Sequence, residues 1–176
     1  APSGVLRAGI NLSNFLLVSS RGPAGEPQGV APDMASALAA KLGVPLELVP
    51  FKNPGLLADA VLADDAWDVG LIGAEAQRAK TIAFSQPYVE IQATYLVPAG
   101  SSLQSISEID APGRRIAVSA RAAYDLWLTE NLKHATLVRT DEPGLQHSLE
   151  LFQVAATSSS MHHTHCTLRL LSASSQ

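Results

Sequence analysis

Two arginines, a glutamate, a few glycines and a knot of histidines are the residues whose types and places invite chemistry. Arg78 follows an apolar run that ends at Gly73. A guanidinium offers a planar fork of N–H donors that matches a carboxylate with two parallel bonds. On residue type alone, the plain alternative is a solvated arginine on a polar turn. Gly70 and Gly73 lie at and just after the end of the run Trp67 to Ile72, and missing side chains let a ligand approach the backbone closely. Glu75 has two readings, an acceptor for a ligand's ammonium group or a cap for the turn that follows. Ser13, Asn14 and Phe15 follow the first apolar run. Phe15 either turns an apolar face to a ligand or joins the core with Leu16, Leu17 and Val18. Ser119, Arg121 and Ala122 stand between a later apolar run and a helical segment. Arg121 is there either a second cation, which implies a more acidic ligand, or a helix-start residue pointing to solvent.

His162, His163, His165 and Cys166 are zinc-type donors. Their spacing matches no finger or ribbon, and a Ser- and Thr-rich stretch surrounds them, so neither a metal site nor a cofactor is expected. Phosphate-loop, serine-hydrolase and zinc-protease motifs are absent from the sequence. The only candidate for a general acid or base is Glu75, and no catalytic residue is assigned.

The elements that must hold these residues alternate strand and helix. Val5 to Asn11 reads as a strand, and Arg21 to Pro27 as a turn rich in Gly and Pro. Asp33 is the expected N-cap of a helix in which Met34, Leu38 and Leu42 recur at helical spacing until Gly43. Leu46 to Phe51 is strand-like. Asn53 and Pro54 open a second helix through about Leu62. Trp67 to Ile72 reads as a buried strand, and Ile82 to Phe84 and Ile91 to Val97 as further strands. After a breaker cluster at Pro98, Gly100, Ser101 and Ser102, the pattern restarts. It predicts a turn over Ser105 to Asp110, a strand over Arg115 to Ser119 and a helix over Ala122 to Leu132. A strand over Thr136 to Val138 and a helix over Leu145 to Phe152 follow. This order indicates an α/β layered fold. Trp67, Tyr88, Tyr95 and Trp127 are expected to pack in the core or at a hinge.

Composition narrows the classes. The chain has 176 residues, 47% of them apolar and 16% charged, with a formal charge of −4. That is a globular balance. With no basic stripe, nucleic acid is not an expected partner, and no apolar run is long enough to span a bilayer. Cys166 is the single cysteine, so no intrachain disulfide forms. The first residue is Ala1, which suggests that a signal peptide has been removed or that the chain is a fragment. Residues 154–176 are rich in Ser, Thr and His, hold no acidic residue and show no sustained period. They read as a non-native or disordered tail.

The stretch from Arg78 to Tyr88, R-A-K-T-I-A-F-S-Q-P-Y, resembles the arginine-to-FS-x-PY segment of family 3 extracellular solute-binding proteins. Gly4 to Ile10 is similar to that family's opening strand, Gly29 to Ala40 to its G-F-x-x-D-l-a helix start, and Arg114 to Val118 to the first strand of its second lobe. The resemblance covers roughly residues 4 to 152. It implies a type II periplasmic-binding fold, with two lobes of mixed sheets flanked by helices. Here the second lobe and the return segment are expected to be incomplete. The implied division is lobe 1 over residues 1–97, a partial lobe 2 over 98–153, and the tail. The implied function is the periplasmic solute-binding component of an ABC transporter, which holds an amino acid or related small carboxylate in an interlobe cleft. Its implied partners are a membrane permease and the small ligand, and its implied state is a monomer without enzyme activity. The same fold serves extracellular sensor domains and, less often, dehydratase-like enzymes, which stand as the alternatives. In this family Arg78 would clamp the ligand's α-carboxylate. Phe15 would stack over the ligand's side chain, and Gly70, Gly73 and Glu75 would line the site. Ser119, Arg121 and Ala122 stand where the family usually places a Gly-Thr or Gly-Ser pair. That departure, with Ala83 in place of an expected Asp, sets this site apart from the family's common pattern.

Overall fold

The computed structural model describes residues 4–62, 66–91, 93–98, 100–140 and, for the backbone alone, 169–172. The chain divides into two compact units, Ala1–Phe84 with Arg121–Ala123, and Ser85–Ala120 with Tyr124–Gln176.

The first unit is built on three parallel strands in the order β4-β1-β5, with β1 at Leu6–Asn11, β4 at Leu46–Phe51 and β5 at Val69–Leu71. A central parallel strand is covered on both faces and so carries small or apolar residues throughout. Ala8 and Ile10 turn to one face and pack with Ala31 and Ala35 of helix α1, Val30–Leu42. On β1 the next residue, Gly9, meets Trp67 and Leu57. A Cβ at Gly70 would sit 3.1 Å from Leu57 and 3.2 Å from the Trp67 ring. The bare Gly70 therefore makes room for an indole whose N–H is tied to the Leu57 carbonyl at 3.1 Å.

Helix α1 starts before the expected cap. Gly29 is its N-cap, and the Leu17 carbonyl accepts the Ala31 N–H at 3.0 Å. Asp33 instead lies in the first turn, where a negative charge suits the helix dipole. Gly43 closes the helix in the left-handed conformation, at φ 68°. The buried side of α1 consists of Ala31, Pro32, Ala35 and Ala39, whereas Met34, Leu38 and Leu42 are exposed. Helix α2, Pro54–Asp59, begins as expected. The Asn53 side chain accepts the Leu56 N–H at 2.8 Å, and a 3-10 turn extends the helix through Leu62. A small hairpin, β2 at Ser20–Arg21 and β3 at Pro27–Gln28, brackets the Gly- and Pro-rich turn.

Strand β5 is shorter and less buried than the sequence pattern suggests. Trp67 and Asp68 are occupied otherwise: Asp68 takes the Arg7 amide and guanidinium and donates its own amide to the Arg7 carbonyl. Residues Ile82 to Phe84 join no sheet, and β6 is confined to Thr94–Val97.

In the second unit, β7 at Arg115–Ser119, helix α3 at Ala123–Asn131 and β8 at Thr136–Thr140 form a parallel strand–helix–strand unit. Val97 and Ile109 form a small core with Tyr95, Leu103, Ile106 and Ile116. The Asp110 carboxylate receives the amides of Lys133, His134 and Ala135, each at 2.8 Å, and so ties down the turn before β8. Trp127 is 57% exposed and Tyr88 is also exposed, so neither is the core residue that its type suggested. The helix expected over Leu145 to Phe152 lies outside the described residues. Within the stretch read as a tail, β9 at Arg169–Ser172 pairs antiparallel with β6. No helix among the described residues is long and apolar enough to cross a membrane.

Candidate functional site

In the first unit the chain runs from β1 to its neighbour β4, then crosses back to β5 on the other side of β1. Where strand order reverses in this way, the loops leaving the carboxyl ends diverge and form a crevice, the usual ligand position in open α/β sheets. The loop after β1 carries Ser13, Asn14 and Phe15, and the loop after β5 carries Gly73, Glu75 and Arg78. The topology thus gathers the candidate residues of this unit at one end of the sheet.

Arg78, in the loop after β5, is 5% exposed, which excludes the solvated-turn reading. Its Nη1 donates to the Gly73 carbonyl at 2.7 Å and its Nη2 to the Arg121 carbonyl at 2.9 Å. Nε is buried and, among the described residues, has no acceptor within hydrogen-bond distance. The nearest Glu75 oxygen stands 3.9 Å from it. Burial pulls the guanidinium below its usual range; the charge of Glu75 opposes that shift, and the charge of Arg121 adds to it. An arginine nonetheless stays protonated in proteins. Nε and Nη2 form the side-on edge of the fork, so a carboxylate arriving there finds a donor that the described residues leave unmet.

Of the two readings of Glu75, the structure shows the cap. One oxygen accepts the Arg78 amide at 2.6 Å and the other the Gln77 amide at 2.8 Å. Gly73 gives its carbonyl to Arg78, and a Cβ there would meet Ala123 at 3.4 Å. Gly70 is set back in the sheet against Trp67, so its missing side chain serves packing. Ser13 bonds the Asn11 side chain through both its amide and its hydroxyl. The Asn14 carbonyl turns the chain by accepting the amides of Leu17 and Val18. Phe15 is exposed rather than part of the core.

Arg121 belongs to the first unit together with Ala122 and Ala123. Its side chain is exposed, as a helix-start residue's would be, yet it offers no uncompensated second cation. Its guanidinium makes two bonds to the Asp59 carboxylate, at 2.8 and 2.6 Å, and a third to the Gly55 carbonyl at 3.2 Å. Asp59 raises the Arg121 pKa, and the Arg121 bond lowers that of Asp59. Arg121 is also the one non-glycine residue with a positive φ, 62°, among those described. Its backbone has the conformation that a glycine there would adopt freely. Ala122 is buried beside it. Asp59 and Gly55 are site residues that sequence reasoning missed. A Cβ at Gly55 would lie 2.7 Å from the Arg121 guanidinium carbon. The available signal was Asp59 standing one helical turn after Gly55 on α2.

In the second unit, Ser119 is buried at the carboxyl end of β7. Its amide and hydroxyl bond the Tyr124 phenol oxygen, which burial otherwise pushes upward in pKa. His162, His163, His165 and Cys166 lie outside the described residues. Among the described residues no group of three or more His, Cys, Asp or Glu could hold a metal ion.

Comparison with known proteins gives one family and one fold. The family described as bacterial extracellular solute-binding proteins, family 3, matches residues 7–163. No curated protein matches the sequence. Among solved structures, an ancestral amino acid-binding protein, a precursor of cyclohexadienyl dehydratase, is 23% identical, with a TM-score of 0.66 over 97% of this chain and 71% of its own. The holo ArgBP of T. maritima is 19% identical, with a TM-score of 0.68 over 97% of this chain and 70% of its own. A putative binding component of an ABC transporter from Wolinella succinogenes, complexed with lysine, is 21% identical. Its TM-score is 0.67 over 96% of this chain and 81% of its own. These likenesses establish the type II periplasmic-binding fold.

Proposed function

We infer, because this chain belongs to the bacterial extracellular solute-binding proteins of family 3, that it binds an amino acid or related small carboxylate and hands it to the permease of an ABC transporter. The solute-binding role comes with the family. The ligand class and the transporter are our proposal. The observation that carries the ligand class is Arg78, a buried guanidinium at the switch point of a parallel sheet whose Nε is unmet among the described residues. Two neighbours support the class, since one is described as amino acid-binding and another is complexed with lysine. The family's description supports a place outside the cytoplasmic membrane, and we propose the periplasm. For the lobes we propose the division between Val97 and Pro98.

A binding role without turnover also fits Glu75. Both its oxygens accept backbone amides, which occupies the carboxylate that an enzyme reading would need as acid or base. Within the site, Phe15 supplies the apolar face, while Ser13, Asn14, Gly73 and Ala122 supply backbone and short side chains around the clamp. Ser119 has its hydroxyl on Tyr124 and would contribute only if that bond were exchanged for one to the ligand.

The test is a thermal-shift and calorimetric screen of the chain against amino acids and small monocarboxylates, with Arg78→Ala alongside. A ligand that binds only the folded state raises the midpoint. Removing one partner of a buried charged contact costs affinity by roughly a hundredfold or more, so the shift disappears in Arg78→Ala. A ligand that binds Arg78→Ala undiminished refutes the clamp. Silence from every carboxylate, in a chain that melts cooperatively, refutes the ligand class.

A further inference from the structure

Helix α1 carries fewer polar residues than its single buried face requires. In Val30–Leu42 only Asp33, Ser36 and Lys41 are polar. The core side uses small residues, while larger ones face outward: Val30 is 47% exposed, Met34 40%, Leu38 37% and Leu42 54%. A helix that is apolar beyond its core face normally has a second partner. The spacing of four residues sets these side chains along one ridge of the helix.

We propose that this ridge is a self-association surface, on which α1 of one copy of this chain packs antiparallel against α1 of a second copy in a symmetric dimer. Two features select a second copy. First, the ridge complements itself: a two-fold axis at Ser36 exchanges Val30 with Leu42 and Met34 with Leu38, as a symmetric interface requires. Second, the flanking charges complement each other. Asp33 precedes Met34 and Lys41 precedes Leu42, so both lie on the same flank of the ridge. Same-flank residues face each other when the two helices run antiparallel. Lys41 of one copy then falls within about 3 Å, along the axis, of the level of Asp33 in the other, and the pair occurs twice. Antiparallel helices also set their dipoles favourably. Ridges of this kind interlock at about −50°, which concentrates the contact on Met34 and Leu38. The dimer is therefore weak and concentration-dependent, in contrast to the monomer that the family resemblance implies.

The test is sedimentation equilibrium of the whole chain over a wide concentration range. The average mass rises from monomer toward dimer. Leu38→Gln removes two leucines beside the axis per dimer and weakens association by about a hundredfold. Asp33→Lys or Lys41→Asp alone sets like charges opposite each other twice and weakens it by roughly tenfold. Mixing these two variants in equal amounts restores wild-type association, because each then meets its opposite charge. All three positions are exposed, and circular dichroism at high dilution checks that each variant folds. A mass that stays monomeric throughout overturns the proposal and assigns the ridge to some other partner. Undiminished association of Leu38→Gln, or a mixture that associates no better than its components, overturns it as well.

Discussion

Asp68→Asn tests how the first sheet is held together. The Asp68 carboxylate accepts the Arg7 amide at 2.8 Å, its Nε at 3.2 Å and its Nη2 at 2.8 Å. These bonds fasten the start of β5 to β1. The guanidinium of Arg7, and after it the Arg7 amide, pull the Asp68 pKa from 3.8 to about 2. A depression of that size corresponds to about 2.4 kcal/mol. The two side chains keep 17% and 15% exposure, so solvent screening reduces the contribution to about 1–2 kcal/mol. The carboxylate is more acidic in the folded chain than in the unfolded one. Its contribution is therefore complete above about pH 4 and is lost as the pH falls toward about 2. Urea unfolding of wild type and Asp68→Asn between pH 7 and pH 2 measures this directly. The variant is less stable at neutral pH, and the two curves converge at the acid end. Equal stability at pH 7, or curves that fall in parallel through the acid range, would refute the reasoning.

Three further outcomes follow from the geometry. Asn53→Ala removes the acceptor for the Leu56 amide and lowers stability by about 1 kcal/mol in urea unfolding. Gly55→Ala places a methyl group 2.7 Å from the Arg121 guanidinium and lowers the melting midpoint; in an Arg121→Gly background the same change is nearly silent, which a double-mutant cycle reads as coupling. Asp110→Asn weakens the acceptor for three amides, so amide hydrogen exchange at Lys133 to Ala135 speeds up. In the wild type the same loosening appears only as the pH falls through the depressed Asp110 pKa, whose main cause is the Ala135 amide.

Elements with a strong local signal were legible in the sequence. β7, the capped start of α2 and the closure of α1 at Gly43 follow from β-formers, an Asn-Pro pair and a glycine after the last periodic residue. The burial of α1 was not legible, because periodicity marks Met34, Leu38 and Leu42 while the buried side is Ala31, Pro32, Ala35 and Ala39. β5 was overextended because Trp67 and Asp68 are apolar or flanking in sequence but engaged by Leu57 and Arg7 in space. In the candidate site, residue type alone favours a solvated Arg78, whereas it is buried; its proposed binding role comes from a resemblance of motif. The partners of Arg121 were hidden because Asp59 and Gly55 lie some sixty residues before it, a separation over which no local pattern acts.

Taking a guanidinium out of water is unfavourable unless its donors are satisfied. Here the protein supplies two carbonyls and a carboxylate too distant for a hydrogen bond to Nε. One of those carbonyls belongs to Arg121, whose left-handed backbone is itself unfavourable for a residue with a side chain. The Asp59 pair and the bare Gly55 offset that by seating the Arg121 side chain. Among the described residues, the result is a cation held firmly on one side and left wanting on the other. An ion pair complete within the protein would gain nothing from a ligand carboxylate, whereas a half-satisfied guanidinium does. This is the physical reason for proposing Arg78 as a binding residue, with Arg121 and Asp59 as the support of the proposed clamp.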